Sequence, residues 1–169
     1  MPDRPGLTPS QTVGPFLHLA LAEPALRHPV ALEDPEAITV GGIVVDGDGA
    51  PVPDAVIETW QAGGPFARCP TGPDGRWDMR TVKPSGVPTR DGTAQAPHLV
   101  VSIFARGLLD RLVTRIYFGD EAAANASDPA LTVVDPDRRH LLVAAPSGPR
   151  EYRLDIRLQG PDESVFFAI

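Results

Sequence analysis

Short apolar runs separated by turn residues dominate the chain, and the sharpest is Tyr152-Arg153-Leu154-Asp155-Ile156-Arg157-Leu158-Gln159. Tyr152, Leu154, Ile156 and Leu158 alternate there with three charges and an amide, the period that gives a strand one buried and one wet face. Ile38 to Val45, Val52 to Gln61, Arg76 to Val82, Ala96 to Gly107 and Leu112 to Phe118 read as further strands, with Leu141 to Ala145 as a shorter candidate. Side chains alternate across a strand, so His98 and Val100 share a face.

Turn chemistry supplies the joints. Asp46-Gly47-Asp48-Gly49 is a strong turn signal that predicts an antiparallel pairing of the strands on either side, and Asp74-Gly75 opens the strand closed by Lys83-Pro84. Ser85 to Ala96 reads as a loop. Helix is scarce: a short one near Leu17 to Ala22, and a turn in which Asp120 caps Glu121 to Asn125 before Asp128-Pro129 stops it. Seven or so strands with little helix predict an all-β fold, an antiparallel β-sandwich over residues 37–169, preceded by an irregular, Pro-rich arm over 1–36.

Composition changes this picture little. With 169 residues, 42% apolar and 22% charged, the chain is long enough for one buried core, and its 20 Pro and 16 Gly lie between the apolar runs. A net charge of −7 argues against a nucleic-acid binder, which needs a basic stripe to displace counterions. The longest apolar run is far too short to span a bilayer, and Met1 to Gly6 leads into no continuous apolar segment. Cys69 is the single cysteine, so no intrachain disulfide can form and the cytoplasm is the expected compartment. His18, His28 and His140 show no metal-ligand spacing and default to packing or surface roles, and His98, a lone imidazole, does not make a metal site.

Several separated segments carry a resemblance: Thr8-Pro9-Ser10-Gln11-Thr12-Val13-Gly14-Pro15-Phe16, Pro53-Asp54-Ala55-Val56-Ile57-Glu58-Thr59-Trp60-Gln61-Ala62, and Asp74-Gly75-Arg76-Trp77 with Thr81-Val82-Lys83-Pro84. Ala96 to Gly107, Thr114 to Phe118 and Asp155 to Gly160 through Val165-Phe166-Phe167 continue it. Together they resemble the intradiol ring-cleavage dioxygenases, on a prealbumin-like β-sandwich, and within them the subunit type that does not hold the iron. The weakest stretch is Ala22 to Glu36.

The resemblance implies a non-haem ferric enzyme in which two tyrosines and two histidines of a catalytic chain hold Fe(III), a hard ion suited to phenolate and catecholate oxygens. It implies O2-dependent opening of protocatechuate between its two hydroxyl-bearing carbons, giving 3-carboxy-cis,cis-muconate. This chain lacks the ligand set: Gly86-Val87-Pro88 and Gly63 to Gly72 hold no tyrosine where the family's catalytic chains carry one, and Val100 stands in the place of a second histidine beside His98. Tyr117 and Tyr152 lie elsewhere, inside strand-like runs. The expectation is therefore no catalytic or metal-binding residue in this chain alone, with Fe(III) held by a homologous beta chain in a hetero-oligomer.

The residues implied to complete the cleft are Thr12, Gly14 and Pro15 of the arm, together with Arg106. Glycine lets backbone approach a flat ring, proline makes a rigid wall and threonine offers a hydroxyl. The Arg106 guanidinium suits a substrate carboxylate or an ion pair at the subunit boundary. The rival expectation is a stand-alone prealbumin-like β-sandwich binding module with no catalytic partner, since fold alone does not fix function.

Overall fold

The structure, a computed structural model, describes residues 6–14, 16–90 and 92–168, apart from the side chain of His18. Its strands are, in chain order, β1 (Ala37–Val45), β2 (Ala55–Trp60), β3 (Ala67–Pro70), β4 (Arg76–Val82), β5 (Val87–Pro88), β6 (Ala94–Gln95), β7 (His98–Ala105), β8 (Leu112–Phe118), β9 (Val143–Gly148), β10 (Glu151–Arg153) and β11 (Ile156–Arg157). Four short helices, α1 (Leu17–Leu21), α2 (Pro24–Arg27), α3 (Ala122–Ser127) and α4 (Pro129–Thr132), and a 3-10 segment at Pro136–Leu142 fill the connections. None of them is long and apolar enough to cross a membrane.

One mixed sheet holds nine of the strands in the order β11-β1-β10-β9-β8-β7-β2-β3, with β4 pairing to β1. It curls until β3 comes back against β4 and the sheet nearly closes. Most pairs are antiparallel, but β10 and β11 run parallel to β1, and β9 runs parallel to β8. The expected wholly antiparallel sheet is thus corrected to a mixed one. The short hairpin of β5 and β6 forms a second, two-stranded sheet inside the stretch expected to be loop.

The alternation read from the sequence decides what lies inside. Leu99, Val101, Ile103 and Ala105 of β7 enter the main core with Val40, Val44, Ile57, Trp77, Met79, Ile116 and Phe118. The intervening His98, Val100 and Phe104 occupy the other face of the strand. Tyr152, Leu154 and Ile156 are buried as their pattern requires. Their run is nevertheless two strands and not one, because the chain breaks at Leu154, whose carbonyl packs so close to Gly42 that no Cβ could fit there.

Other departures have local causes. The Asp46 turn forms, with the Asp46 side chain accepting from the Asp48 and Ala50 amides, but the ladder stops after a single bridge between Val45 and Pro51. Pro51 and Pro53 lack the amide protons a hairpin needs. β2 then crosses to pair with β3 and β7 and not with β1. Asp120 does not cap α3. Its carboxylate instead accepts from Lys83 Nζ at 2.9 Å and the Tyr152 hydroxyl at 2.8 Å. The strand expected at Leu141 begins at Val143, after the 3-10 turns, and β3, α2 and α4 were not apparent from periodicity because they are only four residues long.

Candidate functional site

β7 ends at Ala105, and the chain turns through Arg106 and Gly107, the latter at φ +92°, before Leu108 donates back to the Ala105 carbonyl at 3.1 Å. The arm docks on this turn. The Thr12 hydroxyl donates to the Ala105 carbonyl at 3.2 Å, as a second donor beside Leu108, and accepts from the Gly107 amide at 2.8 Å. Ser10 adds a hydrogen bond to Asp110 at 3.1 Å. Gln11 and Val13 face Phe104, Leu108 and Leu109 across a cleft of about 270 Å³.

Arg106 projects from the middle of the clasped turn, 62% exposed, and its Nε meets Asp54 Oδ2 at 3.0 Å. Thr12 and Arg106 are therefore brought together. Gly14 lies two residues further along the arm at φ +75°, with open space where a Cβ would stand. Pro15 lies outside the described residues. Phe16, Leu19 and Leu32 expose about three-quarters of their surface each, so the arm presents apolar side chains to its surroundings.

The position expected to have lost its iron ligands lies at the opposite end of β7, about 26 Å away along an extended strand. His98 is buried, and its Nδ1 lies 2.8 Å from the Ala96 carbonyl, which makes Nδ1 the protonated nitrogen and leaves Nε2 as an acceptor. Burial holds this imidazole below its usual range, with the Arg115 charge adding to the effect. Val87, Val100, Gln95, Trp60 and Arg115 surround it.

A ferric ion does not fit here. Among the described residues no three His, Cys, Asp or Glu side chains gather to hold a metal. The neighbouring phenol is already engaged: the Tyr117 hydroxyl donates to Asp128 at 3.0 Å and accepts from Arg115 at 3.1 Å, and burial pushes it up to about 12. Asp128 is itself fully buried and also accepts from the Ala96, Ala130 and Leu131 amides. His28 sits near Asp78 and His140 lies in the 3-10 segment, and neither lines the cleft around His98. Cys69, buried on β3, donates to the Pro70 carbonyl, and burial pushes its thiol up, away from the thiolate that a nucleophile needs.

Sequence reasoning missed Asp54, which fixes Arg106, although the residue lies inside one of the segments that carried the resemblance. It also missed Asp128, read only as a helix stop. Both act through partners distant in the chain, which local patterning does not register.

No family model matches the chain. Among curated proteins it is 40% identical over 197 aligned residues to the protocatechuate 3,4-dioxygenase alpha chain of Burkholderia cepacia, covering 96% of this chain and 97% of that one. The beta chain of the same organism's protocatechuate 3,4-dioxygenase is 30% identical over 112 residues, 53% of this chain and 48% of that one. Among solved structures, the dioxygenase domain of a dioxygenase carbohydrate-binding fusion from Streptomyces sp. SirexAA-E superposes with a TM-score of 0.61 at 28% identity, over 90% of this chain and 98% of that one. Likeness at this identity along nearly the whole of both chains shows the family: the chain belongs to the protocatechuate 3,4-dioxygenase alpha chains of the intradiol dioxygenase family.

Proposed function

We propose that this chain is the subunit of a protocatechuate 3,4-dioxygenase that walls the active cleft and builds the hetero-oligomer, while a homologous beta chain holds the Fe(III). The reaction is intradiol cleavage of protocatechuate with O2 to 3-carboxy-cis,cis-muconate. Iron, when bound by the beta chain, supplies the redox and Lewis-acid chemistry; this chain contributes shape and charge. Residues 1–36 act as the arm toward the partner, and residues 37–169 form the dioxygenase-like domain, read as the two layers of a prealbumin-like sandwich. The expected compartment is the cytoplasm.

The observation that carries the reading is the Thr12 clasp, which fixes the arm to the turn bearing Arg106 and so presents both as one exposed, rigid unit. In the assembly, Gly14 and Pro15 wall the substrate ring, Thr12 positions them, and Arg106 raises the local potential for the substrate carboxylate. The exposed apolar side chains of the arm supply interface area.

Co-expression with a homologous beta chain tests this. A stable 1:1 hetero-oligomer with one iron per pair and protocatechuate cleavage is the expected result, with neither iron nor activity in this chain alone. A tightly held ferric ion in the isolated chain, with tyrosinate charge-transfer colour, overturns it. A well-behaved monomer that ignores the partner replaces it with the stand-alone binding module.

A further inference from the structure

The cleft around His98 is too well furnished for a strand end that has merely lost a metal. The registers of β2, β7 and β8 set Trp60 opposite Val100 and Val100 opposite Arg115, so an indole, an apolar floor and a guanidinium stand in one row on the face turned away from the core. Trp60 leaves 53% of its surface exposed and is propped by Phe66, whose ring centre lies 4.6 Å away. His98 borders the row with Nε2 as an acceptor.

Arg115 points to the ligand's charge. Its Nη1 donates to two neutral acceptors, Gln95 Oε1 at 3.0 Å and the Tyr117 hydroxyl at 3.1 Å, which hold the guanidinium plane in place. Among the described residues it forms no ion pair, and Asp128 beyond Tyr117 is already engaged by three backbone amides and the phenol. The rest of its five-donor fork is therefore available to a planar, bidentate anion. Size admits an aromatic ring. The open cleft offers about 290 Å³. A cavity of about 150 Å³ is enough for benzene, so one ring with a carboxylate and a hydroxyl fits.

We propose that this cleft binds a small planar hydroxylated aromatic carboxylate without any metal, its ring on Trp60 and Val100, its carboxylate on Arg115 and a ring hydroxyl donating to His98 Nε2. The proposal goes beyond the assigned role of the arm and rests on that role only for the material used in the test.

Titrate the assembled oligomer with 4-hydroxybenzoate, reading total binding by calorimetry and occupancy at the iron by its absorption band. Two binding events per alpha–beta pair are expected, one of them silent in the iron band. Arg115→Gln should weaken the silent event at least tenfold, and Val100→Phe, which fills the floor, should abolish it, both with ring-cleavage kcat unchanged. The uncharged 4-hydroxybenzamide should lose the silent event in the unaltered protein, a check that needs no variant. A single event per pair, fully tracked by the iron band, overturns the proposal, as does a silent event indifferent to Val100→Phe and to loss of the carboxylate. Failure to assemble, or to hold iron, counts against the proposed function instead. The same titration on the chain alone, read by tryptophan fluorescence, then decides the cleft.

Discussion

Thr12 and Arg106 are joined through the backbone on either side of the arginine: one hydroxyl bonds the carbonyl of Ala105 and the amide of Gly107. Neither bond is long-range electrostatics, so their loss should act on position and not on charge. Thr12→Val keeps the shape and removes both bonds, each worth about 0.5–1.5 kcal/mol. In the assembled enzyme KM for protocatechuate should rise about tenfold with iron content unchanged, while Thr12→Ser stays close to wild type. Steady-state kinetics on the three proteins checks this.

Arg106→Ala separates stability from function. The Arg106–Asp54 pair is well exposed on the arginine side, and such pairs contribute about 0–1 kcal/mol. Thermal unfolding of the assembled protein should therefore move by less than about 4 °C. Substrate affinity or subunit association should fall all the same, measured by kinetics and by dilution in size-exclusion chromatography.

Gly14 carries two demands that substitution can split. Its φ of +75° is strained for any residue with a Cβ, most of all a β-branched one, yet the space around it within the chain is open. Gly14→Asn, tolerant of that conformation, should assemble normally and report mainly on crowding of the ring, whereas Gly14→Val adds backbone strain. Both should raise KM, Val by the larger factor, about tenfold or more. Equal, unchanged KM values would return the arm to a structural role.

Much of this was legible in the sequence, and the line between what was and was not is physical. Strands such as β1, β4, β7 and β8 announce themselves through their own periodicity, which depends on neighbours two residues away. Pairing partners do not: nothing local in Tyr152 to Leu158 says that it will run parallel to β1, or that Pro51 and Pro53 will turn β2 away from it. The same holds for the site. Thr12, Gly14 and Arg106 became candidates through resemblance alone, and the clasp that ties Thr12 to the Arg106 turn, like the Asp54 partner of that arginine, exists only in the folded chain. Asp128 was legible as punctuation but not as the hub that ties Ala96, 32 residues away, to α4.

That hub supports a stability prediction. Asp128→Ala leaves three backbone amides and the Tyr117 hydroxyl without their acceptor in a dry environment, each costing about 1–3 kcal/mol if nothing replaces it. A loss of about 3 kcal/mol or more is expected in urea unfolding, with Asp128→Asn losing less because one oxygen remains.

His98 should leave its mark on the acid side. Burial first, then the Arg115 charge, holds its imidazole below the ordinary value of 6.5, against the opposing pull of the Ala96 carbonyl. As pH falls through 6.5 the unfolded chain takes up a proton that the folded chain still refuses, so stability declines from that point until the folded imidazole also titrates. His98→Gln removes this contribution. Unfolding free energies at pH 7 and pH 5.5 should differ less in the variant than in wild type, whereas His28, also held low, acts equally in both.

The parallel pairing of β1 with β10 and β11 has a consequence for how the molecule comes into being. Thr39 meets Glu151, and Val44 meets Ile156, so one edge of β1 is covered only by strands 112 residues further along the chain. Until these are made β1 can pair with β4 alone, and its other edge remains an open template for any extended chain nearby. Contacts of such sequence separation make folding slow. The nascent protein must therefore wait for its own C-terminal strands, and a chain truncated before Glu151 would keep that edge permanently available for aggregation.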